Sequence, residues 1–224
     1  MGQVKILWNL SASVILQPCQ TNRGSVVKIE SNEQYFEVSF DKQVLLALNI
    51  SDSEFEDCEF NDCDFSSAVF ARCKFLNCSF NCCNLSLIKI PYSRFFEVSF
   101  AECKLLGIDW TRAYWPSFHL DSELKFSKCI LNDSSFFGLT LNELKFDQCK
   151  LHEVDLRDGD FSNSSMIYCD FTNSLFMHTN LHNVDFSEST NFNIDVLENK
   201  ISKAKFSRFE ALSLLSSLDI DLVD

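Results

Sequence analysis

Residues 53–80 read SEFEDCEFNDCDFSSAVFARCKFLNCSF, with phenylalanine at 55, 60, 65, 70, 75 and 80. A step of five fits neither regular element, because an amphipathic helix repeats its apolar residues at three and four and a half-buried strand repeats them at two. Two residues ahead of each ring stands a smaller residue: Ser53, Cys58, Cys63, Ala68, Cys73 and Cys78. Residues two apart on extended backbone point to one side, so the small and the large residue both face inward. The rest of each five must turn a corner, and the chain therefore coils as a solenoid.

Working outward, the step runs back to Phe40, Leu45 and Ile50 and on through Leu85, Ile90, Phe95, Phe100, Leu105, Trp110, Trp115 and Leu120. One added residue restores it at Phe126, after which Leu131, Phe136, Leu141, Phe146, Leu151, Leu156, Phe161, Met166, Phe171, Phe176, Leu181 and Phe186 follow, with Phe206 in the same phase. These two registers hold 17 of the 23 phenylalanines, and nine of the 11 cysteines occupy the small position. Cys63, Cys83 and Cys103 recur at twenty, as do Cys129, Cys149 and Cys169. Four fives per coil follow, with four faces and vertical ladders such as Phe55, Phe75, Phe95 and Trp115. Residues 36 to 192 supply about eight coils, a rod of ~35 to 40 Å at the ~4.8 Å spacing of paired strands. The register slip near 121–125, with bulky Phe118 in a small position, predicts a bulge or kink.

The ends lack the five-step. In residues 1–35, Val4, Ile6, Trp8, Leu10, Ala12, Val14 and Leu16 alternate as in strands, which are expected to cover the first coil. A secretory leader is disfavoured, since Gln17 and Pro18 are poor neighbours for cleavage at Cys19, and Ile6 stands where myristoylation needs Ser or Thr. In 207–224, Ala211, Leu214, Leu215 and Leu218 have helical spacing, with Ser207 and Glu210 spaced as a capping box. A short C-terminal α-helix should cap the last coil, and Phe209, Ala211, Leu214, Leu215 and Leu218 form the expected dimer contact.

The 224 residues carry 19 Lys plus Arg against 32 Asp plus Glu, a net charge of −13, with five Gly and three Pro. A direct binder of nucleic acid or of an anionic membrane needs cations, so a charged partner should be basic. Asp52, Glu54, Glu56, Asp57, Glu59, Asp62 and Asp64 follow one another without a Lys or Arg. A second acidic stretch, 153–198, includes Asp155, Asp158, Asp160, Asp185 and Glu188, whereas Lys200, Lys203, Lys205 and Arg208 form a basic cluster. These acids are either a solvated surface or a display of carboxylates toward a basic groove.

Little else suggests chemistry. Inward cysteines on successive coils point in parallel rather than converging on a metal, so they read as reduced structural thiols, with Cys82 outside the pattern as the more reactive one. His178 and His182 fall on different sides of a solenoid. No Ser/His/Asp arrangement or phosphate-binding glycine loop is present, and a narrow coil offers no deep cleft for a glycosidase-like carboxylate pair. The expectation is a non-enzymatic protein without metal or cofactor.

Residues 53–80 resemble a run of pentapeptide repeats, and the resemblance extends over 36–206. It implies an all-β, right-handed quadrilateral β-helix. CKLLGIDW at 103–110 and NKISKAKFSRFEALSLLSSLDI at 199–220 resemble the middle and tail of the Qnr and MfpA quinolone-resistance proteins and of related immunity proteins against gyrase-poisoning peptides. That subgroup implies a cytoplasmic homodimer joined through its C-terminal element, which mimics DNA, binds DNA gyrase or topoisomerase IV and protects it from quinolones or peptide poisons. The alternative is a β-helical interaction scaffold with an unknown basic partner. Qnr proteins often project loops, whereas this chain shows no large insertion between Phe40 and Phe186.

Overall fold

The computed structural model describes residues 28–116, 124–218 and 220. Its strands are two or three residues long and all pair in parallel with the strand one coil away. Face 1 begins with Gln34–Phe36, Glu54–Glu56, Lys74–Leu76 and Arg94–Phe96, and face 2 is a nine-stranded sheet running from Ser39–Asp41 to Lys205–Phe206. Face 3 is a chain of single bridges through Val44, Asp64, Asn84, Lys104, Ile130, Lys150, Asp170 and Thr190. Face 4 carries Asn49–Ser51 and Val69–Ala71 and, further on, the bridges of Asp109, Ser135 and Asp155. The four-sided coil is thus the expected quadrilateral β-helix, with Phe40 opposite Phe60 and Phe80 opposite Phe100 in the twenty-residue register.

Five residues close a side because the fourth and fifth turn the chain. The second residue after nearly every inward centre has a positive φ between 50° and 62°, although almost none of these corners is glycine. Asp52, Asp57, Asp62, Asn77, Asp158 and Asn163 suit that left-handed region, but Arg72, Leu87, Tyr92 and Tyr168 do not. Each such corner costs on the order of 1–3 kcal/mol, which the paired backbone and the buried side chains on either side offset.

Inside, rings stack along the faces and meet edge to face between them. On face 2, Phe60 lies parallel to Phe80 at 4.4 Å and Phe100 to Phe126 at 4.9 Å, while Phe60 meets Phe65 at 75°. Aromatic pairs of these two geometries add about 0.5–1.5 kcal/mol beyond the area they bury. On face 3 the small position is a thiol in six successive coils: Cys63, Cys83, Cys103, Cys129, Cys149 and Cys169, all buried and free. Each of the first five donates to a carbonyl of the coil beneath, from Cys63 to Phe40 at 3.2 Å through Cys149 to Phe126 at 3.4 Å. Burial pushes the thiol of Cys73, on face 1, up to about 11, so it stays protonated.

The structure corrects the reading of the slip. Phe100 pairs directly with Phe126, so this coil has 26 residues, and six are inserted between Trp115 and Phe126 where one was expected. Leu120, Phe118 and residues 121–123 lie outside the described residues. The irregularity starts earlier, at a 3₁₀ turn, Trp110–Arg112, that replaces the strand of face 4. At the start, Tyr35 already stacks on Phe55 at 5.0 Å, so the coil begins before residue 36; the strands expected for 1–27 lie outside the described residues.

The C-terminal helix, Glu210–Leu218, is 3₁₀ rather than α. Ser213, Ser216 and Ser217 each donate a side-chain hydrogen bond to the carbonyl three residues back, and Leu212 N–H donates to Phe209 O, which favours the tighter winding. The expected capping box is not formed: the Ser207 hydroxyl accepts from Glu188 N–H at 2.7 Å and donates to Glu188 Oε1 at 2.9 Å.

Candidate interaction surface

A coil places residues twenty apart on one column, so neighbours in sequence are scattered around the rod. From Asp52 to Asp64 the chain passes the corner between faces 4 and 1, all of face 1, all of face 2 and the first residue of face 3. The seven acids of this run therefore wrap the rod instead of forming one patch. Asp155 is on face 4, Asp158 at the next corner, Asp160 on face 1, Asp185 on face 2 and Glu188 at the corner after it.

Several of these acids have structural partners. Asp52 is paired with Arg72 at 2.6 Å, Glu54 with Lys74 at 3.1 Å, Asp155 with Arg157 at 2.8 Å and Asp185 with Lys205 at 2.9 Å. Asp158 lies 3.4 Å from His178, which also meets Glu198 at 3.2 Å. Asp64, Asp160 and Asp185 each accept from the N–H two residues on, in Ser66, Ser162 and Ser187, bracing their own side of the coil. The Ser66 hydrogen bonds hold the Asp64 carboxyl below its ordinary range; at Asp160 burial opposes the same shift but the bonds from Ser162 and Asn180 prevail.

The acids left to face solvent concentrate on the edge between faces 1 and 2. Its corner column reads Glu37, Asp57, Asn77, Glu97 in the first coils, flanked by Glu56 and Glu59, and further along Glu143, Asn163, Asn183 and Lys203. Asp57, Glu59, Glu97 and Lys125 border a shallow trough of 400 Å³ there. Lys200, Lys203 and Lys205 gather at the far end of this edge, so the edge runs from negative to positive along the rod. Reading the sequence in steps of twenty reveals the column; reading it residue by residue conceals it.

The tail presents a different surface. Leu214 is only 9 % exposed and packs with Ala211 on the last coil, and Ser217 Oγ accepts from Val196 N–H at 3.2 Å. Residues three apart eclipse in a 3₁₀ helix, so Ala211, Leu214 and Ser217 form the inner column. Phe209, Leu212 and Leu218 form the outer one, with Phe209 82 % exposed and Leu215 half-buried beside them. Leu214, expected at a dimer contact, therefore caps its own chain, while exposed Leu212 and Ile220 were missed because α-helical spacing groups the positions differently.

Cys82 is exposed as expected, but desolvation and the Glu102 carboxylate raise its thiol pKa and so blunt its reactivity. His182 bonds Ser202 at 2.6 Å and is separate from the His178 cluster. Among the described residues no helix is long and apolar enough to cross a membrane.

The regular five-residue side, the four-sided coil and the inward Phe and Cys columns define a pentapeptide-repeat protein. Comparison with known families agrees: residues 53–122 match a model of the pentapeptide repeat region and 155–190 match one of eight pentapeptide repeats. Among solved structures the chain is similar to QnrB1, a plasmid-mediated fluoroquinolone resistance protein. One trypsin-treated variant of it aligns with TM-score 0.65 and 17 % identity over 87 % of this chain and 99 % of that one. A second trypsin-treated variant aligns with TM-score 0.57 and 17 % identity over 85 % and 99 %, and the full-length protein with 0.50 and 18 % over 84 % and 100 %. At this identity the likeness is one of fold. No curated protein matches the sequence.

Proposed function

We propose that this protein is a non-enzymatic DNA mimic that binds a type II topoisomerase, DNA gyrase or topoisomerase IV, and protects it from quinolones or peptide poisons. The observation that carries the reading is the alignment of nearly the whole coil with QnrB1, a fluoroquinolone resistance protein. The net charge of −13 and the acidic column of the edge between faces 1 and 2 support it, because one rung of ~4.8 Å sets carboxylates in a row of fixed spacing. Duplex DNA is denser, with a charge every ~1.7 Å of axis, so Glu56, Asp57, Glu59 and Glu97 must act together along the row. The outer column of the tail, Phe209, Leu212 and Leu218, is the apolar surface through which two rods would join into a cytoplasmic homodimer.

The test is gyrase supercoiling with and without a quinolone. The protein should preserve supercoiling at drug concentrations that otherwise stop it, and Asp57→Lys with Glu59→Lys should weaken protection at low salt, a difference that shrinks as rising salt screens the wild-type interaction. Supercoiling that is equally drug-sensitive with and without the protein would reject the reading. The wrapping of the other acids around all four faces, many already ion-paired, favours the second reading, a scaffold with a basic partner, which would bind without altering drug sensitivity.

A further inference from the structure

On face 4 the parallel ladder is open. Phe70 N–H donates to Lys89 O at 2.8 Å on one side and Trp110 N–H to Ser135 O at 3.0 Å on the other. Between them, among the described residues, neither Ile90 N–H nor Asp109 N–H bonds to the facing coil, and the 3₁₀ turn at Trp110–Arg112 stands where a strand would close the gap. Over this opening lies a cavity of 730 Å³ that includes Leu87, Lys89, Gly107 and Arg112. It continues through shared Pro91 and Arg112 into a second of 430 Å³ bordered by Tyr92, Tyr114 and Trp115.

The groove differs from its surroundings in charge. Among the described residues no carboxylate is paired with Lys89 or Arg112, and Arg94 lies 4.3 Å over the Tyr114 ring. The one carboxylate in the groove, Asp109, accepts from the N–H and hydroxyl of Thr111 and so is held by its own turn. Three cations beside exposed rings, with Tyr92 71 % exposed, form a basic and aromatic site on a protein of net charge −13.

We propose that this groove docks an extended acidic peptide segment of a partner protein. Its carboxylates lie against Lys89 and Arg112, and an apolar side chain enters between Tyr92 and Tyr114. Charge complementarity supplies selectivity in such sites and a buried apolar anchor supplies affinity. This is opposite in sign to the acidic edge and independent of it.

The experiment is fluorescence anisotropy of the full chain with fluorescein-labelled hexapeptides: EDFDLE, its amide counterpart QNFNLQ, the basic KKFKLK and the ring-free EDGDGE. EDFDLE should bind at least ~10-fold more tightly than each of the others, consistent with electrostatic choice plus a buried apolar anchor. Lys89→Glu with Arg112→Glu should weaken EDFDLE binding by ~10-fold or more while leaving the urea midpoint unchanged, since both side chains are exposed. Equal binding of EDGDGE, indifference to the double substitution, or no EDFDLE binding would overturn the proposal. So would self-association of the chain that the same substitution abolishes, because the groove would then hold a second copy. Gyrase protection should survive this substitution, which separates failure here from failure of the topoisomerase reading.

Discussion

Faces 3 and 4 pass through the same coils at the same pitch, yet one is continuous and the other opens. On face 3, thiols alternate with Leu and Phe in the inward positions, and backbone bonds join every successive centre from Leu45 to Phe171. On face 4, Pro91 follows Ile90 and the indole of Trp110 stacks on Phe136 at 5.6 Å, and there the ladder parts. The difference teaches that the coil keeps its spacing where inward volumes repeat. A single large ring beside a turn shifts the backbone, since close-packed interiors respond to small changes of volume.

The comparison is broken most severely by emptying the regular face. Phe65 is fully buried on face 3, in edge contact with Phe60 and Phe70, and Phe65→Ala should cost ~3–5 kcal/mol in urea unfolding. Phe137, on the outside of face 4 and 44 % exposed, should lose under ~1 kcal/mol as Phe137→Ala, and equal losses would refute the inward assignment. Next comes the thiol column. Cys103→Leu overfills one rung and should cost ~1–3 kcal/mol, whereas Cys103→Ser should cost clearly less. Serine already stands in the equivalent place at Ser189, donating to Met166 O. A tolerated leucine would mean that face 3 does not depend on repeated volume.

The smallest effect is that of pH. Asp64 on face 3 and Asp155 on face 4 are both held below the ordinary carboxylate range, by the hydrogen bonds of Ser66 and Arg157 respectively. A carboxyl depressed on folding contributes stability that is fully present above its unfolded pKa of about 3.9 and is lost as pH falls through the lower folded value. Stability should therefore hold from neutrality down to about pH 4 and fall below it, and Asp64→Asn should flatten that acid limb slightly. An unchanged limb would remove Asp64 from the account.

The inward columns were legible because burial imposes the five-step directly on residue type. The length of the insertion was not: phase counts modulo five, so six extra residues between Trp115 and Phe126 look like one. The left-handed corners left only a broken signature, because Arg72, Leu87 and Tyr92 interrupt the Asp and Asn that stand at corners such as Asp52, Asp57 and Asn77. The acidic run was visible in sequence, but its distribution required columns twenty apart. The tail misled for a related reason, since Ser213, Ser216 and Ser217 wind it to a period of three rather than 3.6. The basic groove had no linear motif, as Lys89, Tyr92, Arg112 and Tyr114 meet only across successive coils.

The 26-residue coil bears on how the chain finds its place during folding. In a run of identical rungs, a strand that pairs one rung too high still sets an aromatic or aliphatic residue on another and buries the same kind of surface. Such mistakes lie close in energy to the native arrangement and invite kinetic traps. The six extra residues after Trp115 make one rung unlike all the rest. A slipped chain would have to accommodate them where a neighbouring rung leaves no room, so this coil indexes the stack and gives every other rung an address.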